Sequence, residues 1–340
     1  MTPDDAAPTV TVCIVAYQSG EYLQACVDAL AAQGFAGFEA VIVDNDSTDG
    51  SIEALALPDA RFRVERMGRN LGFAAANNVA ARASRAAFFA TLNPDTRADP
   101  GWLAALVAAA GRWPQAASFG STQVSLDEPD RLDGAGDVYH AAGMAWRALI
   151  DRPVSQVPPE GEVFGPCAAA ALYRLQAFMA LGGFDERYFC YCEDVDIAYR
   201  LRLAGWTAVQ VPDAVVRHAG SAISGRRSGF TLFHGHRNRV WTYVKNTPGA
   251  WLWLLLPYHL AYDLALIAWA ALRGYGGPVA RAHWKALSGM GPIWESRRAV
   301  QKARKASLRD LFEAMAWKPA SPVRRGVARR LAERARRSPE

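Results

Sequence analysis

Val41-Ile-Val-Asp44-Asn45-Asp46-Ser47-Thr48-Asp49-Gly50-Ser51 is a short apolar run cut off by three aspartates and several hydroxyls. Ala40–Val43 reads as a buried strand, because four consecutive apolar residues bounded by turn formers fit a strand with both faces covered. The same pattern occurs on either side. Thr9–Ala16 is β-rich and stops at Tyr17-Gln18-Ser19-Gly20, and Ala87–Leu92 stops at Asn93-Pro94-Asp95. Between these runs, Glu21–Ala32 carries Leu23, Val27 and Leu30 at helical spacing, Gly72–Ala83 is Ala-rich and helical, and Pro100–Ala110 is helical again. Ser51–Leu57 reads as a short helix and Arg63–Glu65 as a further strand. Strands alternating with helices predict a parallel α/β sheet covered on both faces. The polar clusters fall at the carboxyl ends of the strands, where such sheets bind ligands.

Further along, Gly111–Gly161 reads as a mixed strand region and loop containing Leu132-Asp133-Gly134-Ala135-Gly136-Asp137. Leu175–Leu181 suits a helix closed by Gly182-Gly183, and Glu193–Leu203 a second one closed by Gly205. Ala208–Val211 and Ala214–Val216 read as two short strands before His218. Trp251–Leu272 is almost wholly apolar, with Pro257, His259 and Asp263 inside it. It is long enough to span a bilayer, but the Asp and Pro weigh against a simple span. An interfacial element with its aromatic rings at headgroup level, or a buried helix pair, are the other readings. The stretch Arg297–Arg337 is crowded with Arg and Lys, and suits acidic headgroups or a solvated helix face.

Composition sets outer limits. The 340 residues are 51% hydrophobic and 21% charged, which excludes a disordered chain, and the net charge of +5 is concentrated near the end. Nothing pairs that basic end with a recognisable nucleic-acid module. Cys13, Cys26, Cys167, Cys190 and Cys192 form no C-x-x-C pair, so a zinc knuckle or disulfide framework has no support, and reduced thiols are expected. Met1–Pro8 has two Asp and no basic residue, unlike a signal peptide, which predicts a cytoplasmic catalytic part. Both common phosphate loops and the G-x-S-x-G turn are missing from the sequence. An acid-bound metal is the obvious substitute for handling phosphate charge.

Four constellations could carry chemistry. The 44–51 run could bind a nucleoside or simply form a capped turn. Asp95, after a buried strand, could ligate Mg2+ or Mn2+, or close a Pro turn. In Glu193-Asp194-Val195-Asp196, Asp194 lies at a helix N-terminus, where the helix dipole favours an ionised general base, and Asp196 faces away from it. Helix capping is the plain alternative. His218 at a strand end could be a metal ligand.

In order, these pieces resemble glycosyltransferase family 2 with the GT-A fold, most nearly its bacterial rhamnosyltransferase branch. The resemblance covers about residues 9–245 and includes Asn70-Leu-Gly72-Phe73, Asn77-Asn78, Leu92-Asn93-Pro94-Asp95, Gly182-Gly183-Phe184-Asp185-Glu186, Glu193-Asp194-Val195-Asp196, Arg200, Gly205-Trp206, His218 and Arg237-Asn238. It implies a mostly parallel central sheet with helices on both faces and a helical C-terminal extension. The implied GT-A domain is 1–228, with a nucleotide-sugar half about 9–110 and an acceptor half about 111–228; the apolar-then-basic region is 229–340. Tyr17, Asp44, Asp46, Asn70, Gly72, Phe73, Asn78 and Asn93 would bind the nucleotide-sugar. Asp95 and His218 would hold Mg2+ or Mn2+; Asn93 replaces the first Asp of the family's D-x-D. Asp194 would be the catalytic base, with Glu193 beside it. The implied reaction is inverting transfer of a sugar to an acceptor hydroxyl on a glycan or polyprenyl-diphosphate-linked precursor. L-rhamnose from dTDP-L-rhamnose is the favoured donor, ahead of other UDP-, dTDP- or GDP-sugars. The expected setting is the inner face of the cytoplasmic membrane, reached through an anionic surface. An inactive nucleotide-sugar-binding scaffold is the alternative.

Overall fold

The computed structural model describes residues 7–220, 228–319 and 321. Met1–Ala6, Ser221 and the basic stretch beyond residue 321 lie outside the described residues. The first half comprises β1 (Val10–Ala16), α1 (Tyr22–Ala31), β2 (Phe38–Asp44), β3 (Phe62–Arg66), α2 (Gly72–Ala83), β4 (Phe88–Leu92), β5 (Thr96–Ala98) and α3 (Trp102–Arg112). Then come β6 (Ala116–Ser125), β7 (Leu132–Ala135), β8 (Asp137–His140), β9 (Met144–Arg147), β10 (Gly161–Val163), β11 (Ala170–Arg174), α4 (Leu175–Ala180), α5 (Glu193–Leu203) and β12 (Thr207–His218). Five helices follow: α6 (Gly229–Asn246), α7 (Gly249–Leu272), α8 (Gly276–Ser288), α9 (Met290–Lys302) and α10 (Leu308–Ala314).

The main sheet runs β10-β12-β6-β11-β4-β1-β2-β3, with β5 beside β12 and β7 beside β6. Strands β4, β1, β2 and β3 are parallel. Strand β11 is antiparallel to both β4 and β6, so the sheet is mixed. That reversal positions the site. Ala170 pairs with Leu92, so the residues entering β11 lie beside those leaving β4. Both faces are covered. Val10, Val12 and Ile14 join the core under α1 and α3, while Cys13 and Val15 join the one under α2, α4 and α5. This is the period-2 alternation of a strand buried on both sides.

Three sequence expectations change. Ser51–Leu57 is a turn, not a helix: it makes an isolated helical bond (Ala54 N–H to Gly50 O, 3.0 Å) before Pro58, too little to offset nucleation. The two strands expected before His218 are one, β12, whose register slips between Val211 and Val215. Pro212 has no N–H to give the ladder there, and its carbonyl accepts from Thr122 Oγ1 instead. Trp251–Leu272 lies in a single continuous helix, α7, not a helix pair.

Helix α7 is amphipathic in reverse. Leu252, His259, Asp263 and Ala270 are buried, while Leu254, Leu264 and Leu272 are 75%, 66% and 88% exposed. Asp263 pairs with Arg239 of α6, and His259 Nδ1 donates to Ala142 O at 2.8 Å. Its polar groups thus face protein, and the outward face is apolar. Arg297 also departs from a solvated basic face: it is buried and donates to Val244 O and Thr247 O at the end of α6.

Asp196 ties these helices to the sheet layer. It is fully buried and accepts from Arg200 Nε (2.7 Å), Lys245 Nζ (3.0 Å) and Asn246 Nδ2 (2.8 Å). Burial pushes its carboxyl pKa up, but Arg200 and Lys245 outweigh burial and hold it below its ordinary value. Asp196→Ala should cost about 3–5 kcal/mol, since it strips the buried Arg200 of its carboxylate and leaves Lys245 with Asp185 alone. Urea unfolding of the variant measures this, and an unchanged midpoint would deny the network that role.

Candidate active site

A cavity of about 810 Å³ opens at the carboxyl edge of the parallel strands. One wall consists of Tyr17 and Gln18 after β1, Asn45 after β2, Asn70, Gly72 and Phe73 entering α2, and Asn93 to Asp95 after β4. The opposite wall brings Cys167–Ala169 before β11, Phe189–Val195 entering α5, His218 ending β12, and Asp137, Trp146 and Arg147 from the β8–β9 hairpin.

On the first wall, Asn45 is the latch. Its Nδ2 donates to Asn70 Oδ1 (2.9 Å), and its Oδ1 accepts from Leu71 N–H (2.8 Å). Asn70 Oδ1 in turn accepts from Gly72 N–H. Gly72 has φ +81°, and a Cβ there would lie 2.5 Å from the Phe189 ring, so only glycine lets the two walls meet.

Three expected residues do not line the cavity. Asp44 is buried and accepts from Ser47 N–H at 2.9 Å, which caps the turn that presents Asn45. Asp46 occupies the left-handed region (φ 70°) of that turn. Asn78 is a correction. Its Nδ2 donates to Phe184 O and Glu186 Oε1, and its Oδ1 accepts from Phe184 N–H. The amide is therefore spent on fastening the loop before α5 to α2 and has nothing left for a donor.

Asp95 and His218 meet because β5 pairs with β12, with Thr96 opposite His218. His218 Nδ1 is 2.6 Å from Asp133 Oδ2, and its Nε2 is 3.3 Å from Asp95 Oδ1. That Nε2 is buried and has no hydrogen-bond partner among the described residues. A carboxylate holding one imidazole nitrogen while the other stays open is how ligand histidines are oriented. The pair fits a hard divalent cation that draws its remaining ligands from phosphate oxygens and water. Among the described residues, no group of three or more His, Cys, Asp or Glu is arranged to hold a metal unaided.

Asp194 stands across the cavity. Its Oδ2 accepts from Ala168 N–H (3.1 Å), which the reversed β11 delivers, and its Oδ1 from Val195 N–H (2.8 Å). Burial raises its pKa, and the two N–H groups and Arg147 only partly offset that. Glu193 is raised well above its ordinary value by burial and then by Asp194, and its Oε2 has no partner among the described residues. Burial also pushes the Cys167 thiol up to about 12, which leaves it protonated. Among the described residues, Arg147 and His218 are the basic groups that line the cavity with Asp95, Asp137, Glu193 and Asp194, an acid excess that calls for protons or a cation.

Sequence reasoning overlooked Asn45, Asp133, Asp137, Trp146 and Arg147. The Asp133-Gly134-Ala135-Gly136-Asp137 spacing was the available signal.

The model of Glycosyl transferase family 2 matches residues 11–182. The chain belongs to that family. An N-acetylglucosaminyl-diphospho-decaprenol L-rhamnosyltransferase of Mycobacterium tuberculosis is 30% identical over 295 residues, covering 77% of this chain and 91% of that one. Among solved structures, a mannosyltransferase of Pyrobaculum calidifontis with GDP-Man and Mn2+ superposes with a TM-score of 0.54 at 19% identity, covering 91% of this chain and 88% of that one. A GalNAc-T7 structure with UDP, GalNAc and Mn2+ gives 0.56 at 17% identity over 71% of this chain, which spans 48% of it. These structural likenesses establish the shared fold of nucleotide-sugar transferases.

Gly72→Ala should destabilise the protein by about 1–3 kcal/mol beyond Gly68→Ala. Gly68 also has positive φ (+64°) but meets nothing within 4 Å, so it isolates the cost of conformation alone. Paired denaturation midpoints measure the difference, and equal losses would remove the Phe189 contact from the argument.

Proposed function

We propose that this glycosyltransferase moves a sugar, with L-rhamnose from dTDP-L-rhamnose as first choice, onto a hydroxyl of a lipid-linked diphospho-glycan, with inversion at the anomeric carbon. The observation that carries the reading is Asp194 facing the Asp95–His218 pair across one cavity. The name of the M. tuberculosis relative supports the sugar and the acceptor class. Tyr17, Asn45, Asn70, Gly72 and Phe73 hold the nucleoside, and Asp44 and Asp46 shape the turn beneath it. Asp95 and His218 are the residues that hold a divalent cation. When bound, that ion neutralises charge on the departing diphosphate. Asp194 takes the proton of the acceptor hydroxyl. The hydroxyl oxygen forms its new bond to the anomeric carbon from the face opposite the diphosphate, which leaves with the electron pair of the broken C–O bond. Glu193, held neutral by burial, spares Asp194 a second adjacent charge.

Asp194→Asn should lower kcat by about 10²–10⁴-fold and leave the donor Kd within about twofold. The assay is run with Mn2+ and after chelation; retained turnover in the variant would remove Asp194 as base. The wild-type pH profile provides a second check. The ionised form of Asp194 is active and its pKa is raised, so activity should fall on acidification above the ordinary carboxylate range. Arg147, with backbone N–H groups, holds the Asp194 pKa down against burial. Arg147→Gln should therefore move the acid limb of kcat to higher pH.

The apolar outward face of α7 supports docking on an anionic membrane at the cytoplasmic side. By length and composition, α7 is long and apolar enough to cross a membrane, and 17% of its apolar window is buried. We read it as interfacial, because its inner face is committed to protein through Asp263 and His259. Co-sedimentation with anionic liposomes should be strong for the wild type and lost in Leu254→Glu/Leu264→Glu. Equal sedimentation of both would place the contact elsewhere.

A further inference from the structure

We propose that the β8–β9 hairpin is the acceptor-recognition element, in which the Asp137 carboxylate accepts a hydrogen bond from a hydroxyl of the acceptor sugar and Trp146 packs on the sugar ring. This rests on the glycosyl-transfer reading above and names the residues that select its second substrate.

The argument starts from the two aspartates of the 133–137 segment. Asp133 Oδ2 is occupied internally, at 2.6 Å from His218 Nδ1 and paired with Arg147. Asp137 lines the cavity, is 7% exposed, and its Oδ1 has no hydrogen-bond partner among the described residues. A buried acceptor left unpaired carries a desolvation penalty, and a ligand hydroxyl removes it.

The hairpin is built to hold that carboxylate still. Asp137 lies opposite Arg147 in the antiparallel register, and its N–H donates to Gly165 O at 2.8 Å. The neighbouring glycine is required by packing. A Cβ on Gly134 would sit 2.9 Å from the Arg147 Cβ, so the missing side chain makes room for the arginine stem. Arg147 is then fixed by Asp133 and by Gln123 Oε1 (3.1 Å). Trp146, next in the chain, lines the same cavity. A carboxylate beside a large ring gives one partner for a sugar's hydroxyl edge and one for its apolar face. Asp137 and Asp194 line the same cavity, so one acceptor sugar can meet both.

The other end of the hairpin touches α7. Ala142 O accepts from His259, and a Cβ on Gly143 would lie 2.7 Å from His259 Nδ1. The hairpin therefore bridges the cavity and the helix with the apolar outward face, the path a lipid-linked sugar would span.

The test uses the full chain, with an alkyl-diphospho-N-acetylglucosamine and its monodeoxy analogues as acceptors. In the wild type, one deoxy analogue should lose about tenfold to hundredfold in kcat/KM. In Asp137→Asn that penalty should shrink to under about threefold, with acceptor KM raised and donor KM unchanged. Trp146→Leu should raise acceptor KM alone, and it carries the test if Asp137→Asn no longer binds donor. An identical deoxy profile and KM in wild type and variants overturns this inference and leaves the transferase reading intact. Donor hydrolysis by a wild type that neither binds nor glycosylates these acceptors overturns the acceptor reading and this inference together.

Discussion

Asp196 is buried to zero exposure and still titrates below the ordinary carboxylate range, which requires cations, and Arg200 and Lys245 supply them. Two residues earlier, Asp194 is only half-buried at the cavity wall and, among the described residues, has no cation in hydrogen-bond contact, only two backbone N–H groups and the field of Arg147. The helical step of about 100° per residue sends the two acids in different directions. One turn of α5 thus holds a satisfied charge that fastens α6 to the sheet layer and an under-satisfied one that faces the cavity. The first constraint makes the second possible. A helix held by buried ion pairs can keep an energetically unfavourable carboxylate in place at its N-terminus.

The sheet reversal at β11 has the same consequence on the other side. In a wholly parallel sheet, the residues entering a strand lie at the edge opposite the ligand crevice. Because β11 runs antiparallel to β4, its entering residues, Cys167–Ala169, lie at the crevice itself, and Ala168 N–H reaches Asp194. The short β5–β12 pairing performs a similar service for Asp95 and His218. The site is assembled from strand ends of both directions, and each acid is held by a backbone group or by another side chain.

The periodicities that chain physics makes local were legible in the sequence. Helix α2 begins at Gly72 and ends at Ala83, and α5 spans Glu193 to Leu203, both as the apolar spacing indicated. The apolar strands β1, β2 and β4 and the polar clusters after them were legible for the same reason. What depends on long-range pairing was not. The hairpin strands β8 and β9 are four residues each, too short for a pattern, and Asp137 becomes a site residue only when Arg147 and Gly165 close on it. In the 44–46 run the acids drew attention, yet Asn45 faces the cavity, because an amide can donate and accept at once and so latch Asn70 and Leu71 together. Asn78 misled for the complementary reason: an asparagine in an alanine-rich helix looks the same whether it binds a ligand or a loop.

Helix α7 shows how composition and placement combine. Its mean apolarity suggested a membrane or a core, and the structure gives it an apolar outside and a polar seam inside. That seam is what a helix needs if it is to rest against lipid without entering it: Asp263 is neutralised by Arg239, and His259 is engaged by a backbone carbonyl. The carbonyl belongs to Ala142, in the turn of the hairpin whose other end lines the cavity. The groups that keep α7 attached to the protein therefore also set the position of the cavity wall, so the apolar outward face of α7 and the cavity cannot shift independently of each other.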